Sequence, residues 1–252
     1  MKPITLTGIL LMTTAGLSGL FAQAPPTAKP KSNGERKAIV AIQTAASSQD
    51  ADAIIKAAEN LLNNYADSDY KEYALTMEAQ AYQLKKDDDN AQVFADRVLQ
   101  INPKSFSMEL LIADAMTPNI KEHDLNKDEE LAKVTKLYND AIENVKTAVK
   151  PNPQISDADW DNNRKFTIAR AYNGLGMVAS FEKKNDEAIK DFQLALDNDP
   201  EQDAYATRLA NAYLTAGKKT EAIAICDKLL AKPNLHPTIK QVVTSIKNAA
   251  SH

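Results

Sequence analysis

The chain has 252 residues, of which 44% are hydrophobic and 25% charged, and its formal net charge is −4. That is enough apolar material for a continuous core, and it lacks the basic excess expected of a nucleic-acid binder. Seven glycines, 6% aromatic residues and a shortage of alternating apolar runs make helix the default element.

The N-terminus reads as a targeting segment. Lys2 precedes an uncharged stretch, Ile4 to Phe21, centred on Ile9-Leu10-Leu11-Met12 and followed by Ala22-Gln23-Ala24. A basic start, an apolar middle and small residues before the cut predict a secretory signal peptide over residues 1–24. Cleavage is expected after Ala22 or Ala24, with Pro25 disfavouring the second site. The alternative is an uncleaved anchor, for which Ile4–Phe21 is only just long enough. No cysteine follows the apolar stretch, which excludes a lipoprotein anchor. The expectation is an exported protein of the periplasm, cell envelope or exterior, with no membrane insertion once the signal is removed. Residues 25–35, containing PPTAKPKSNG, are expected to be a flexible linker. The folded domain is then 36–252. Cys226 is the only cysteine, so no internal disulfide can form.

From residue 38 onward, small and large residues recur with a period of 34. The clearest instance is 169–202, with Tyr172, Leu175, Gly176, Ala188, Phe192 and Pro200 at positions 4, 7, 8, 20, 24 and 32, and only Ala179 departing, at 11. The next unit, 203–236, gives Leu209, Ala210, Tyr213, Ala222 and Cys226, with Pro233 one place early. Upstream, 72–105 gives Leu75, Ala79, Tyr82, Ala91 and Pro103, and 38–71 gives Ala45, Ala57 and Leu61, with Asp69 where proline is expected.

The middle of the chain breaks the period. Pro103 and Pro200 are 97 residues apart (200 − 103), which is not a multiple of 34. Two insertions restore the register. A unit over 106–155 carries Ile112, Ala113, Met116, Ala141, Val145 and Pro153, with 117–131 inserted between its halves. The next unit, 156–202, has its first helix extended backward, with Ser156 as the expected cap. After Pro237 a single amphipathic stretch, 237–250, is expected to cap the core.

This order of residues resembles the tetratricopeptide repeat family. The resemblance implies an all-α fold, a right-handed solenoid of helical hairpins closed by a C-terminal capping helix. Gly or Ala at positions 8 and 20 would let the two helices of a hairpin cross closely. The family's first-helix positions 2, 5, 9 and 12 commonly line a concave groove. Here these are Tyr73, Thr76, Gln80 and Gln83, then Arg170, Asn173 and Met177, then Thr207 and Asn211. Arg208 with Asn211 resembles part of a carboxylate-binding set, but its lysines are missing. The stretches Asp124-Leu125-Asn126-Lys127-Asp128-Glu129 and Lys150-Pro151-Asn152-Pro153-Gln154-Ile155 are similar to those of exported bacterial envelope proteins built from such repeats. No defined activity comes with that likeness.

Catalytic and metal-binding patterns are weak. His123, His236 and His252 are far apart in sequence, and no zinc spacing, phosphate loop or serine elbow occurs. Asp124, Asn126 and Asp128 have the first spacings of a calcium loop, but Glu129 replaces the required glycine and Thr135 the bidentate glutamate. Helix capping by Asn126 with Glu129 is the expected role. Asp87-Asp88-Asp89 is expected in a solvated turn, Trp160 in packing, and Cys226 in the core. No cofactor is expected. The expected function is a non-enzymatic scaffold or adaptor for a protein or extended peptide, bound through the groove. The alternatives are an architectural subunit bound by its convex face or edge and, least favoured, an enzyme. The oligomeric state is left open. The 117–131 insertion, polar and carrying Pro118 and His123, is expected to form a mobile flap dispensable for folding.

Overall fold

The computed structural model describes residues 28–151 and 155–252. The expected signal peptide, the first three linker residues and Asn152-Pro153-Gln154 lie outside them. Among the described residues there are eleven α-helices and no strand. They are α1 (Asn33–Ser48), α2 (Ala51–Asn64), α3 (Lys71–Leu84), α4 (Asp88–Ile101), α5 (Phe106–Met116), α6 (Lys127–Thr147), α7 (Asp157–Phe181), α8 (Asn185–Asn198), α9 (Asp203–Thr215), α10 (Lys219–Leu230) and α11 (Pro237–Ser251). A 3-10 turn, Thr117–Asn119, follows α5. The chain forms two compact units, with α6 and α7 each contributing to both.

In the first unit each helix packs on its successor from α1 through α5. The core at its start joins Ala38, Ile39 and Ile42 of α1 to Ile54, Ala58 and Leu61 of α2 and to Tyr73, Ala74 and Met77 of α3. Small residues enclose the helix contacts, since Ala79, Ala91, Ala113 and Ala141 have no more than a trace of exposure. In α2 the enclosed alanine is Ala58, and Ala57, singled out by the repeat register, is only half-buried.

The expected linker is shorter than its composition suggested. Ser32 Oγ accepts the Glu35 N–H at 3.0 Å, and α1 starts at Asn33. Glu35 is 2% exposed, and its carboxylate takes the Ser68 hydroxyl at 2.6 Å and the Lys31 N–H. Ser68 Oγ in turn accepts the Tyr70 N–H at 3.1 Å, and the Tyr70 hydroxyl donates to the Ala28 carbonyl at 2.7 Å. Lys31 Nζ reaches the Asp67 carbonyl and pairs with Asp67 and Asp69. Residues 28–35 are thus fastened by a buried carboxylate to the turn between α2 and α3. A composition-based reading misses this because the partners are 33 to 42 residues away.

In the second unit α8, α9, α10 and α11 pack in succession, and α11 also touches α9. Ile239, Val243, Ile246 and Ala250 recur at helical spacing and are buried. The first three join Ala206, Ala210, Cys226 and Leu229 in one cluster, so α11 closes the end of this core. Pro237 occupies its first turn, where a missing N–H costs nothing, and His236 Nδ1 accepts the Thr238 N–H at 3.3 Å. Glycines permit the closest contacts. A Cβ on Gly176 would lie 2.7 Å from Phe192 Cδ1, and one on Gly174 would run into the Tyr138 ring.

One turn is built three times. After α3, α7 and α9 the chain places Lys86, Lys183 and Gly217 at φ of 59°, 62° and 74°. Their N–H groups bond to Gln83, Ser180 and Leu214, and the following N–H groups, from Asp87, Lys184 and Lys218, bond to Tyr82, Ala179 and Tyr213. Both bonds of a Schellman motif are therefore present each time. The last two turns are 34 residues apart (217 − 183) and the first two 97 (183 − 86). The backbone repeats at the spacing of the sequence pattern, although only one turn has the glycine that a left-handed residue favours.

Candidate functional site

The residues expected along a groove fall into two sets, and the structure treats them differently. In the first unit α3 is enclosed, with every residue from Tyr73 to Ala81 buried. Tyr73 is a core residue, packed among Ile39, Ile42 and Leu61, and burial pushes its phenol up to about 12. Thr76 and Gln80 are 3% and 9% exposed. Of this set only Gln83 is half-exposed. The expectation of an open face on α3 is corrected at Tyr73, Thr76 and Gln80. These side chains are covered because α3 has helices α1, α2 and α4 packed against it.

In the second unit the polar face is partly open. Arg170, Asn173 and Met177 are three and four residues apart on α7 and share one side of it. Arg208 and Asn211 lie three apart on α9. All five are half-buried. The two helices are joined at this face by Arg208 Nη1, which donates to Asn173 Oδ1 at 3.0 Å. Asn173 Nδ2 contacts Met177 Sδ at 3.8 Å. Thr207 is 2% exposed, and its hydroxyl donates to the Asp203 carbonyl at 2.7 Å, so it serves the helix. What remains on the two helices is two guanidiniums, two carboxamides and a thioether, with Arg208, Asn173 and Met177 in contact. Such groups can donate to and accept from a peptide backbone, and can hold a carboxylate.

The other singled-out residues have structural places. Asp124 Oδ2 accepts the Lys121 N–H at 2.9 Å, closing a turn. Asn126 stands just before α6, and its side chain donates to Glu130 Oε1 at 2.7 Å, one residue beyond the Glu129 expected for a capping box. Among the described residues no group of three or more His, Cys, Asp or Glu is arranged to hold a metal ion. Asp87 caps α4, accepting from the Asn90 N–H at 3.1 Å, and the Asn90 bonds hold its carboxyl below the usual range. Ser156 Oγ accepts the Asp159 N–H at 3.1 Å at the start of α7. Trp160 is 9% exposed and lies tilted against Phe106, ring centroids 6.4 Å apart. Cys226 is fully buried, and burial pushes its thiol up, away from the reactive thiolate.

Besides Glu35, two buried glutamates were not anticipated. Glu109 on α5 is 3% exposed, and both its oxygens accept from Asn144 Nδ2 on α6, at 2.8 and 3.1 Å. Glu78 on α3 is 1% exposed, and its Oε2 has no hydrogen-bond partner. A signal for Glu78 existed. It occupies repeat position 7, where the later repeats place Ile112, Leu175 and Leu209.

Residues 182–246 match the tetratricopeptide repeat family. Among curated proteins none matches the chain. Solved structures share its fold. A thermophilic tetratricopeptide protein of Thermus thermophilus is 16% identical, with a TM-score of 0.55 over 84% of this chain and 98% of that one. MamA from Desulfovibrio magneticus RS-1, residues 41 to the end, is 15% identical, with a TM-score of 0.54 over 85% of this chain and 97% of that one. Identities this low establish fold alone. With its helical hairpins, its 34-residue turn period and the match over residues 182–246, the chain has the fold of the tetratricopeptide repeat proteins.

Proposed function

We propose that the protein is a non-enzymatic adaptor that binds a protein or extended peptide through the polar face of α7 and α9. The tetratricopeptide fold is a protein-interaction scaffold, and stacked first helices are where such proteins build a binding surface. The observation that carries the reading is the Arg208–Asn173 bond, 3.0 Å long and made between half-buried side chains 35 residues apart. Arg170 and Met177 share the Asn173 side of α7, and Asn211 lies three residues from Arg208 on α9. A backbone segment needs alternating donors and acceptors, and amides supply both. The signal-like N-terminus, outside the described residues, supports the further proposal that the protein works in the periplasm or cell envelope.

The architectural alternative is favoured by one feature. Val93 and Ile101, eight residues apart on α4, lie on one side of that helix and are 53% and 47% exposed.

The test is selection of peptides from a random library on residues 28–252, followed by affinity measurement on variants. Arg208→Ala and Asn173→Ala should each weaken the selected peptides about tenfold or more, which corresponds to roughly 1.4 kcal/mol. Unchanged affinity in both variants would remove this face from the function. Loss of self-association or partner assembly on Val93→Glu, with peptide affinity intact, would favour the architectural reading.

A further inference from the structure

Glu78 is a charged residue at a position where three other repeats carry an aliphatic side chain. Its carboxyl lies within the packing of α2, α3 and α4, and its Oε2 is left without a hydrogen-bond partner. Two charged groups act on it. Glu59 reaches it from α2 and opposes its ionisation, and Arg97 from α4 favours it. Arg97 does not neutralise the site, because its guanidinium lies over the Phe94 ring, 5.0 Å from the centroid. Phe94 in turn is stacked on Tyr82 of α3 at 5.3 Å. The Tyr82 phenol, one turn from Glu78, is pushed up by burial and then by Glu78 and Glu59, against the pull of Lys85. The cluster therefore has one buried acid, one exposed acid that repels it and one cation held on an aromatic ring.

We propose that Glu78 makes the α2–α3–α4 packing a pH-responsive joint. The helices close around the neutral acid, and loss of its proton loosens them. A protonated carboxyl is a tolerable buried group. The same carboxylate, with one oxygen unbonded and Glu59 nearby, must draw in water or move apart from its neighbours.

Burial pushes Glu78 from its ordinary 4.5 up to about 7. Below pH 4.5 the folded and unfolded chains both hold the proton, and the joint is at full strength. Between there and about 7 the unfolded chain has lost the proton and the folded chain keeps it, so stability falls as pH rises. Above that both are ionised, and the loss is complete and level. The folded-to-unfolded ratio should drop by roughly two orders of magnitude across the window.

The experiment compares wild type with Glu78→Gln in urea unfolding and amide hydrogen exchange between pH 5 and 8.5. Asp191 in the second unit, pushed up to about 6 by burial, titrates in the same range, so the reading is the difference between the two proteins. Wild type should weaken with rising pH while Glu78→Gln does not share that component. After correction for intrinsic exchange, the added exchange should be confined to α2, α3 and α4. Parallel pH profiles, or added exchange spread over the whole chain, overturn the proposal. Glu59→Gln provides a second arm, because Glu59 is exposed and its replacement does not threaten the fold. Removing its charge should move the wild-type transition to lower pH, and an unmoved midpoint also overturns the proposal.

Discussion

Gly174→Ala should be among the most damaging conservative changes in the chain, although it improves helix propensity. Replacing a mid-helix glycine by alanine gains about 1 kcal/mol where nothing lies nearby. Here the new Cβ would sit 2.6 Å from Tyr138 Cε2 and closer still to Cζ and Cε1. Carbon atoms pack best at about 3.5–4.0 Å, so the ring would have to retreat by roughly 1 Å or more. It has nowhere to go, since Tyr138 is 1% exposed. Overpacking of this kind costs about 1–3 kcal/mol, and a face of three ring atoms places it at the upper end. The net expectation is destabilisation by about 1–2 kcal/mol, or a few degrees in the melting temperature of a chain this size. Circular dichroism melts and urea titrations of residues 28–252 would measure it. Gly176→Ala should rank below it, because its contacts with Phe192 are looser, at 2.7 to 3.0 Å, while Gly176→Leu should exceed both. The decisive control is Tyr138→Leu, which removes the offending ring atoms. In that background Gly174→Ala should become neutral or stabilising. An equal penalty with and without the ring, or a Gly174→Ala protein as stable as wild type, would refute the contact as the cause.

Lys86→Gly and Lys183→Gly should each stabilise the fold by up to about 1 kcal/mol, because both lysines hold a left-handed backbone that glycine adopts freely. The same change at a lysine in mid-helix, such as Lys190, should destabilise by a similar amount, and calorimetry would separate the two. In the insertion, Ile120 is 6% exposed and Leu125 fully exposed. Ile120→Ala should therefore cost about 2 kcal/mol or more, and Leu125→Ser should leave the melting temperature unchanged. Deletion of 118–125 should lower stability for the same reason, and a deletion protein as stable as wild type would restore the reading of a dispensable flap.

The repeat was legible because it is written in residue size. Gly176, Ala188 and Ala210 could be placed from sequence because a close helix crossing admits only small side chains, whatever surrounds it. The turn geometry was less visible. Lys86 and Lys183 occupy a left-handed conformation that their side chains do not advertise, and the hydrogen bonds of the preceding helix impose it. The insertion was found by counting, but its inner edge was not. Residues 117–126 are mostly polar with two aliphatic residues, of which Ile120 is buried and Leu125 exposed, a difference the sequence does not mark.

The candidate face was only partly legible. Counting along the repeat named Asn173 as a groove residue and Arg208 only beside Asn211, and the bond between Asn173 and Arg208 joins residues that the register had not paired. Whether one side of a helix is open depends on what packs across it, and this is a long-range property. At Tyr73 the same counting gave a groove residue, and the chain uses it as core because α1 lies against α3. The enclosure of α3 has a second consequence, which joins the two errors. A position-7 glutamate on an open helix could turn its carboxyl to water, as Glu59 does on α2. On a helix buried from Tyr73 to Ala81 it has no such exit. The covering that removes Tyr73, Thr76 and Gln80 from the candidate face is thus also what leaves Glu78 short of a partner. Binding would then be concentrated on α7 and α9, and proton sensitivity on α3.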